Sequence, residues 1–459
     1  MKEQSPIIVT VPNQLLREVA KPVTSFDDNL KKQGQLMARL LEEKDGVGLA
    51  ATQIGLNNSV FAVEFKDETG KNNIPLQFFV NPTIVDYSTD EIEMTEGCLS
   101  VPKIELPIMR PNKVKIKAQD LNGNRIKLAA SGLLARIIQH ESDHLHGKIF
   151  TQLAKAKLHK ENPELKNLKI VYIGTDPFAE MVLRGLILLD LNIVKVITEI
   201  GKPSGRNKQV CPSAVAQTTQ NFKKSLIETA KISDLSQEIN KIKPDLILLA
   251  VFGQIIPDEI LKLPKLGSIN LHPSLLPKYR GPSPIKTALL EGDKKTGVTV
   301  MKMASKVDAG EILMQEEIEI DDLDNALSLR DLLANLSLKM LLEFLPRLQA
   351  GDIESQKQDE SKASFSHKFK KEDGSIDWKK SPKAIDRQIR ALFGWPGTYT
   401  QIGDKRLIIH QAHLDGGKLV LDVVQIEGKN PVFWVDFLRG YKGPKPDWFS
   451  KIRLKIDNK

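Results

Sequence analysis

The chain has 459 residues, 41% hydrophobic and 27% charged, so it is too long for one ordinary core and carries the composition of a water-soluble globular protein rather than a fibrous, disordered or membrane-spanning one. No run approaches the roughly 20 consecutive apolar residues of a membrane span, and two cysteines, Cys98 and Cys211, make a disulfide framework unexpected. The excess of 66 Lys+Arg over 58 Asp+Glu gives +8, which suits either a polyanionic partner or merely a solvated basic surface.

The opening residues MKEQSPIIVTVPNQLL lack the profile of a signal or transit peptide, so a reducing cytoplasm is the expected location. Short strands are predicted at Val60 to Glu64, Phe78 to Val80 and Val114 to Ala118, with an early and a late helix. Their irregular order argues α+β for residues 1–155.

Within that unit His140-Glu141-Ser142-Asp143-His144 follows a helix-compatible run whose apolar positions Leu133, Leu134, Ile137 and Ile138 recur at helical spacing. Histidines at i and i+4 share one helix face and suit a single metal ion, with Glu141 near enough to act on water there. Cys98, in Glu96-Gly97-Cys98-Leu99-Ser100, is the candidate third ligand; a lone cysteine elsewhere would be read as packing. The stretch Gly46 to Gln53 (GVGLAATQ) is by itself only a turn signal.

Together, and in this order, these three segments resemble the signature motifs of peptide deformylases. The resemblance implies that Cys98, His140 and His144 hold a metal, Fe2+ with Zn2+, Ni2+ or Co2+ as alternatives, and that Glu141 is the general base. It further implies that Gln53 and the Leu99 backbone N–H stabilise the oxyanion, and that the substrate is an N-formylmethionyl peptide, possible metal chemistry being polarisation of the carbonyl and acidification of water. An ordinary HExxH metalloprotease would take its third ligand downstream and lack the Cys98 segment. Arg110, in a family-like position, is expected to pair with Glu96 and brace the ligand loop, a plain surface arginine being the alternative. After the metal helix, Ile149-Phe150 leads into Thr151-Gln152, where the family has an acidic–basic pair.

The charged segment at 156–167 reads as a linker. Beyond it, strand candidates at 169–173, 193–198, 245–251 and 268–271 alternate with helix-length segments, which predicts a Rossmann-like α/β unit with a parallel sheet over 168–350. Asn270 and His272 alternate at the end of the last of these strands, and Asp308 follows a further strand-like run, GVTVMKM. Asn, His and Asp at a sheet edge form an acyl-transfer constellation that needs no nucleophilic side chain.

This pattern resembles the folate-dependent formyltransferases. The likeness implies that Asn270, His272 and Asp308 are catalytic, that Ser274, Leu275, Leu276 and Pro277 contact the folate, and that the donor is 10-formyltetrahydrofolate. Within that family the basic loop Gly201 to Lys208 resembles the tRNA-contacting loop of methionyl-tRNA formyltransferases, which implies that Lys202, Arg206 and Lys208 touch methionyl-initiator tRNA. A solvated turn is the plainer reading of the loop, which is also less arginine-rich than the family's.

A second linker is read at 351–372, either a spacer or an extended crossing segment. Over 373–459, alternating runs at Arg406 to His410, Leu419 to Val424 and Val432 to Phe437 predict a small β barrel or sandwich. Ile376-Asp377-Trp378, Trp395-Pro396 and Phe437 to Tyr441 resemble the C-terminal OB-like domain of methionyl-tRNA formyltransferases, and Lys379, Lys380, Lys383, Arg387, Arg390 and Arg406 would give it a phosphate-facing surface. The expectation is therefore a multidomain bifunctional enzyme, monomeric, with no membrane association, that formylates the initiator and deformylates nascent peptides, the ribosome being one place where it would meet them. The rivals are a tRNA- or ribosome-binding protein with one decayed catalytic half and a folate-dependent formyltransferase acting on a small amine.

Overall fold

The computed structural model describes residues 8–67, 73–204 and 209–453. Two units emerge, one built on residues up to Lys166 with Arg184–Leu191, the other on Asn167–Leu183 and the chain from Asn192 onward.

In the first unit an antiparallel sheet runs in the order Gly48–Ala50, Val60–Phe65, Ile74–Tyr87, Lys113–Gln119 and Arg125–Ser131. Alternation in Lys113–Gln119 buries Val114, Ile116 and Ala118 and leaves the lysines outside. The inner strand Val60–Phe65 is instead buried on both faces over its first four residues. Phe61 and Val63 pack with Ile137, Ile138 and Leu145 of the helix Gly132–Leu145, while Val60 and Ala62 pack with Met37, Leu40 and Leu41 of the helix Asp28–Lys44. A sheet strand with helices on both sides reads as a continuous apolar run, as VFAV does here. Asp27 caps the earlier helix, accepting from Asn29 N–H and Leu30 N–H at 3.0 and 3.1 Å. A separate antiparallel ribbon pairs Glu91–Cys98 with Val101–Pro111.

The second unit centres on a seven-stranded sheet in the order Leu226–Thr229, Ile193–Glu199, Ile170–Gly174, Leu246–Ala250, Ser268–His272, Lys295–Lys302 and Ile312–Glu319. The first five strands are parallel; the last two are antiparallel. Strands 170–174, 246–250 and 268–272 are buried at every residue, which explains their near-continuous apolar sequence. The chain enters in mid-sheet, moves outward to Leu226–Thr229, then returns to the other side of Ile170–Gly174. That reversal makes the crevice at the carboxyl ends of these strands a ligand site in such sheets.

After the helix Ala326–Ala350, the segment from Gly351 crosses the sheet unit in extended form, Gln356 bridging to Ile312 and Phe365 to Arg280. The remaining residues form a four-stranded antiparallel sheet, Thr398–Ile402, Lys405–Asp415, Lys418–Ile426 and Val432–Phe433, with the helices Pro382–Ala391 and Trp434–Gly440. The run expected as one strand over Val432 to Phe437 becomes helical at Trp434. Trp434, Phe437, Leu438 and Tyr441 recur at helical spacing, and together they pack into a core with Trp448 and Phe449. Among the described residues this sheet stays open and is no closed barrel. Its apolar face is covered by Ile385 and Ile389 of one helix and by that aromatic cluster, so it has no need to close on itself. No helix among the described residues is long and apolar enough to cross a membrane.

Candidate functional sites

In the first unit the ribbon and the late helix meet at Cys98, His140 and His144. Their ligating atoms all lie within 4.8 Å of one another, and Cys98 Sγ is 3.2 Å from His144 Nε2. One thiol and two imidazoles are the donors a divalent transition ion selects, so the set fits a metal.

Behind the donors stands Glu96. Its carboxylate accepts from Arg110 Nε and Nη2 at 2.7 and 2.9 Å and from Arg136 Nη1 at 2.8 Å, and it faces His140 Nδ1 at 2.9 Å. The expected Arg110–Glu96 pair is therefore present, and Arg136, which sequence reasoning passed over, adds a third cationic contact. Its signal was available, since Arg136 precedes His140 by one helical step of four. Burial pushes the Glu96 carboxyl up, but hydrogen bonds from His140 and Arg110 outweigh it and hold the group at about 2. With Glu96 ionised, His140 carries its proton on Nδ1 and turns Nε2 to the donor cluster. The neighbouring imidazole behaves oppositely: burial, then the charges of His140 and Arg110, hold His144 well below the usual histidine range.

Glu141 is buried, and its Oε2 has no hydrogen-bond partner among the described residues. Burial is the main reason its carboxyl is pushed up to about 7. Gly48 lies against it: a Cβ there would come within 2.8 Å of Glu141 Cδ and 2.9 Å of Cγ. The Gly-rich stretch thus has a packing role that its turn signal did not reveal. Gln53 is anchored by Ala50 N–H donating to its Oε1 at 2.7 Å, which aims Nε2 at Cys98 Sγ (3.4 Å) and Ser100 Oγ (3.3 Å). Leu99 sits in the turn immediately after Cys98.

In the second unit the strand Ser268–His272 delivers Asn270 and His272, both buried, to the floor of a cleft of about 300 Å3. Asp308 completes the group. Asn270 Nδ2 donates to Asp308 Oδ1 at 3.4 Å, and His272 Nδ1 lies 3.6 Å from Asp308 Oδ2. Asn270 Oδ1 has no partner among the described residues. His272 Nε2 faces the Tyr279 carbonyl at 3.0 Å; a carbonyl only accepts, so Nε2 carries the hydrogen and the Nδ1 lone pair faces Asp308. Burial lowers the His272 pKa below 6.5 despite the opposing charge of Asp308, which keeps the ring in its unprotonated form near neutrality.

The cleft wall comes largely from Val251 to Ile256, a segment sequence reasoning did not single out because it follows a buried strand without any charged residue. Of Ser274, Leu275, Leu276 and Pro277, none lines this cleft. Ser274 Oγ donates to Lys278 O at 2.6 Å and Leu276 N–H to Thr299 Oγ1 at 3.1 Å, so the turn is engaged in its own support.

Lys202 lies on the short strand Lys202–Ser204, paired with Gln209–Cys211, and its Nζ bonds Glu199 at 2.7 Å. Arg206 and Lys208, the other two expected tRNA contacts, lie outside the described residues. In the C-terminal module Arg390 is turned inward, spent on Asp386 at 3.0 Å and the Asp324 carbonyl at 2.9 Å, while Arg387 bonds the Glu291 carbonyl. Arg390 is thus paired with a carboxylate, whereas Arg387, bonded to a neutral carbonyl, keeps its positive charge.

Three family models match this chain: polypeptide deformylase over residues 6–160, formyl transferase over 168–345, and the formyl transferase C-terminal domain over 368–418. Among curated relatives, a methionyl-tRNA formyltransferase of Geotalea daltonii is 33% identical over 299 residues, covering 60% of this chain and 96% of the relative. One from Enterococcus faecalis is 42% identical over 235 residues, covering 50% of this chain and 75% of the relative. Among solved structures, a peptide deformylase from Synechococcus elongatus in complex with actinonin is 35% identical and covers 33% of this chain and 80% of that one, with a TM-score of 0.31.

Proposed function

We propose, from the premise that the chain belongs to the methionyl-tRNA formyltransferase family and carries a polypeptide deformylase domain ahead of it, that both halves are active on the same chemical group. One removes formyl from N-formylmethionyl peptides. The other transfers formyl from 10-formyltetrahydrofolate to the amine of methionyl-initiator tRNA. The observation that carries this reading is the presence of two separate, complete constellations, since binding alone would need neither.

In the hydrolytic half, Cys98, His140 and His144 would hold a divalent ion, Fe2+ by choice and Zn2+, Ni2+ or Co2+ by donor type, which supplies Lewis acidity at the formyl carbonyl when bound. Glu141, buried with a free oxygen, takes a proton from the attacking water and returns it to the departing amine. Gln53 Nε2, aimed into the site by its bond from Ala50, and the Leu99 N–H donate to the carbonyl oxygen as it gains charge.

In the transfer half, the methionyl amine attacks the formyl carbon, the carbon–nitrogen bond to the folate breaks, and one proton moves from amine to folate nitrogen. His272 Nδ1 receives that proton and passes it on, while Asp308 stabilises the transient imidazolium. Asn270 retains a second amide N–H for the developing oxyanion.

We place the working units at 1–155, 168–350 and 373–459, with 156–167 folding as the end of the helix Phe150–Glu161 and the turn after it, and belonging to the first unit rather than to a linker. We read 373–459 as a tRNA-binding module in which Lys202, Arg206 and Lys208 of the catalytic unit assist. The turn Ser274 to Pro277, outside the cleft itself, is the folate contact of this scheme. Translation substrates and two unpaired cysteines favour the cytoplasm. The separability of the halves tests the scheme: Glu141→Gln should abolish peptide deformylation and spare formyl transfer, and His272→Ala the reverse. Loss of both activities in either variant would refute two independent sites.

A further inference from the structure

Two residues flank the His272 imidazole, Asp308 on the Nδ1 side at 3.6 Å and Tyr279 through its carbonyl on Nε2 at 3.0 Å. Both hold left-handed backbone, at φ of 49° and 59°. That conformation is disfavoured for any residue with a Cβ, so surrounding structure must impose it. For both residues the imposing structure is the segment that crosses the sheet unit after Gly351.

The contacts are specific. Gln356 and Ile312 exchange N–H···O bonds at 2.8 Å, which registers the segment against the strand following Asp308. Farther on, Arg280 N–H donates to Ser364 O at 2.9 Å, Ser366 N–H donates to Arg280 O at 2.8 Å, and Tyr279 N–H donates to Ser364 Oγ at 3.0 Å. Between these anchors, Gln358 Nε2 donates to the carbonyls of Asp308 and Gly310 at 2.9 and 2.7 Å. The amide cannot be the other way round. Its Oε1 receives Arg280 Nε and Nη2 at 3.1 and 2.7 Å, and a guanidinium only donates. Arg280 is fully buried and held on its far side by Glu360 at 2.7 and 3.1 Å. On the carboxylate end, Gly281 N–H donates to Asp308 Oδ2 at 2.8 Å, and Gly281 follows the residue the segment clamps.

We infer that residues 356–366 form a positioning strap for formyl transfer, in which Gln358, oriented by Arg280, clamps the Asp308 main chain and so sets its carboxylate against His272 and Asn270. This role rests on the transfer chemistry assigned to those three residues above. Gln358 touches no reacting atom; it acts through Asp308. A merely structural strap would contribute stability without tuning the imidazole, and the two roles separate experimentally.

Two variants of the full chain make the test. Gln358→Glu keeps an acceptor for Arg280 but, when ionised, cannot donate to the two carbonyls; Gln358→Met keeps length and has neither function. Both should lower kcat of formyl transfer by about 10–100-fold, the scale of a small misplacement of catalytic groups. KM for the folate and for tRNA should stay within about twofold, and peptide deformylation by the same chain should be unchanged. In Gln358→Met, the imidazole of His272, one of eight histidines and followed by NMR in isotope-labelled protein, should titrate at lower pH, because the Asp308 charge that raises it has shifted away. Unaltered kcat in both variants, or a fall explained by the unfolded fraction with the His272 titration in place, would overturn the strap. If the unmodified chain formylates no tRNA, the transfer reading fails instead, and the titration alone decides: a shift in Gln358→Met upholds the strap and no shift overturns it.

Discussion

Arg110 grips Glu96 with two parallel bonds, 2.7 and 2.9 Å long, and both side chains are almost wholly buried. The pair lies behind the His140 imidazole, so the orientation of one donor depends on charges that never reach the substrate. Because Glu96 is ionised and desolvated, it is stable only while its cationic partners remain. Arg110→Leu should therefore destabilise the deformylase domain by about 3–5 kcal/mol, the cost of leaving a buried charge short of its partner. Metal affinity should fall by about 10–100-fold. Thermal unfolding and metal analysis of the purified variant check both. An unchanged melting temperature would mean that Arg136 alone suffices for Glu96.

Gly48 and Glu141 offer a cleaner separation of base from donors. A methyl group at position 48 would press on Glu141 Cδ and Cγ, while Cys98, His140 and His144 keep their own surroundings. Gly48→Ala should lower deformylation by about 100-fold or more, a typical value for losing a placed general base, with bound metal undiminished. Metal loss in step with activity would show that the glycine supports the whole site rather than the base.

The acid limb of formyl transfer should lie below pH 6.5. Burial depresses the His272 pKa, so its basic form persists to lower pH than that of a free histidine, and rate is lost only when that lower value is crossed. Asp308 acts in the raising direction. Asp308→Asn should accordingly move the limb further down while reducing the maximal rate, measurable in a pH profile of kcat/KM for the folate donor. A limb moved upward by that substitution would contradict the assignment of His272 as the base.

Local chemistry was legible where it resides in short sequence windows. His140 and His144 share a helix face through spacing alone, and Asn270 and His272 share a strand side in the same way. The inner parallel strands announced themselves because burial on both faces demands apolar runs, whereas the two edge strands were missed: Leu226–Thr229 is short and only partly buried, and Ile312–Glu319, with Glu317 and Glu319 exposed, reads as a charged loop. The open C-terminal sheet was read as a barrel or sandwich since alternation shows that one face is covered but not by what, and here the cover is helical and aromatic. Gly48 and Gln358 were invisible for a different reason. Each matters through a partner 93 or 50 residues away, Glu141 and Asp308, and a single sequence does not record such pairings.

The central claim is that one chain both adds and removes the formyl group of translation initiation, and its transfer half bears the most direct test. Labelled formyl should pass from 10-formyltetrahydrofolate to initiator tRNA charged with methionine, and Asp308→Ala should abolish that transfer while peptide deformylation continues. Consumption of the folate with the tRNA left unformylated would contradict the account, assigning the second half to another amine and leaving only the deformylase domain as described.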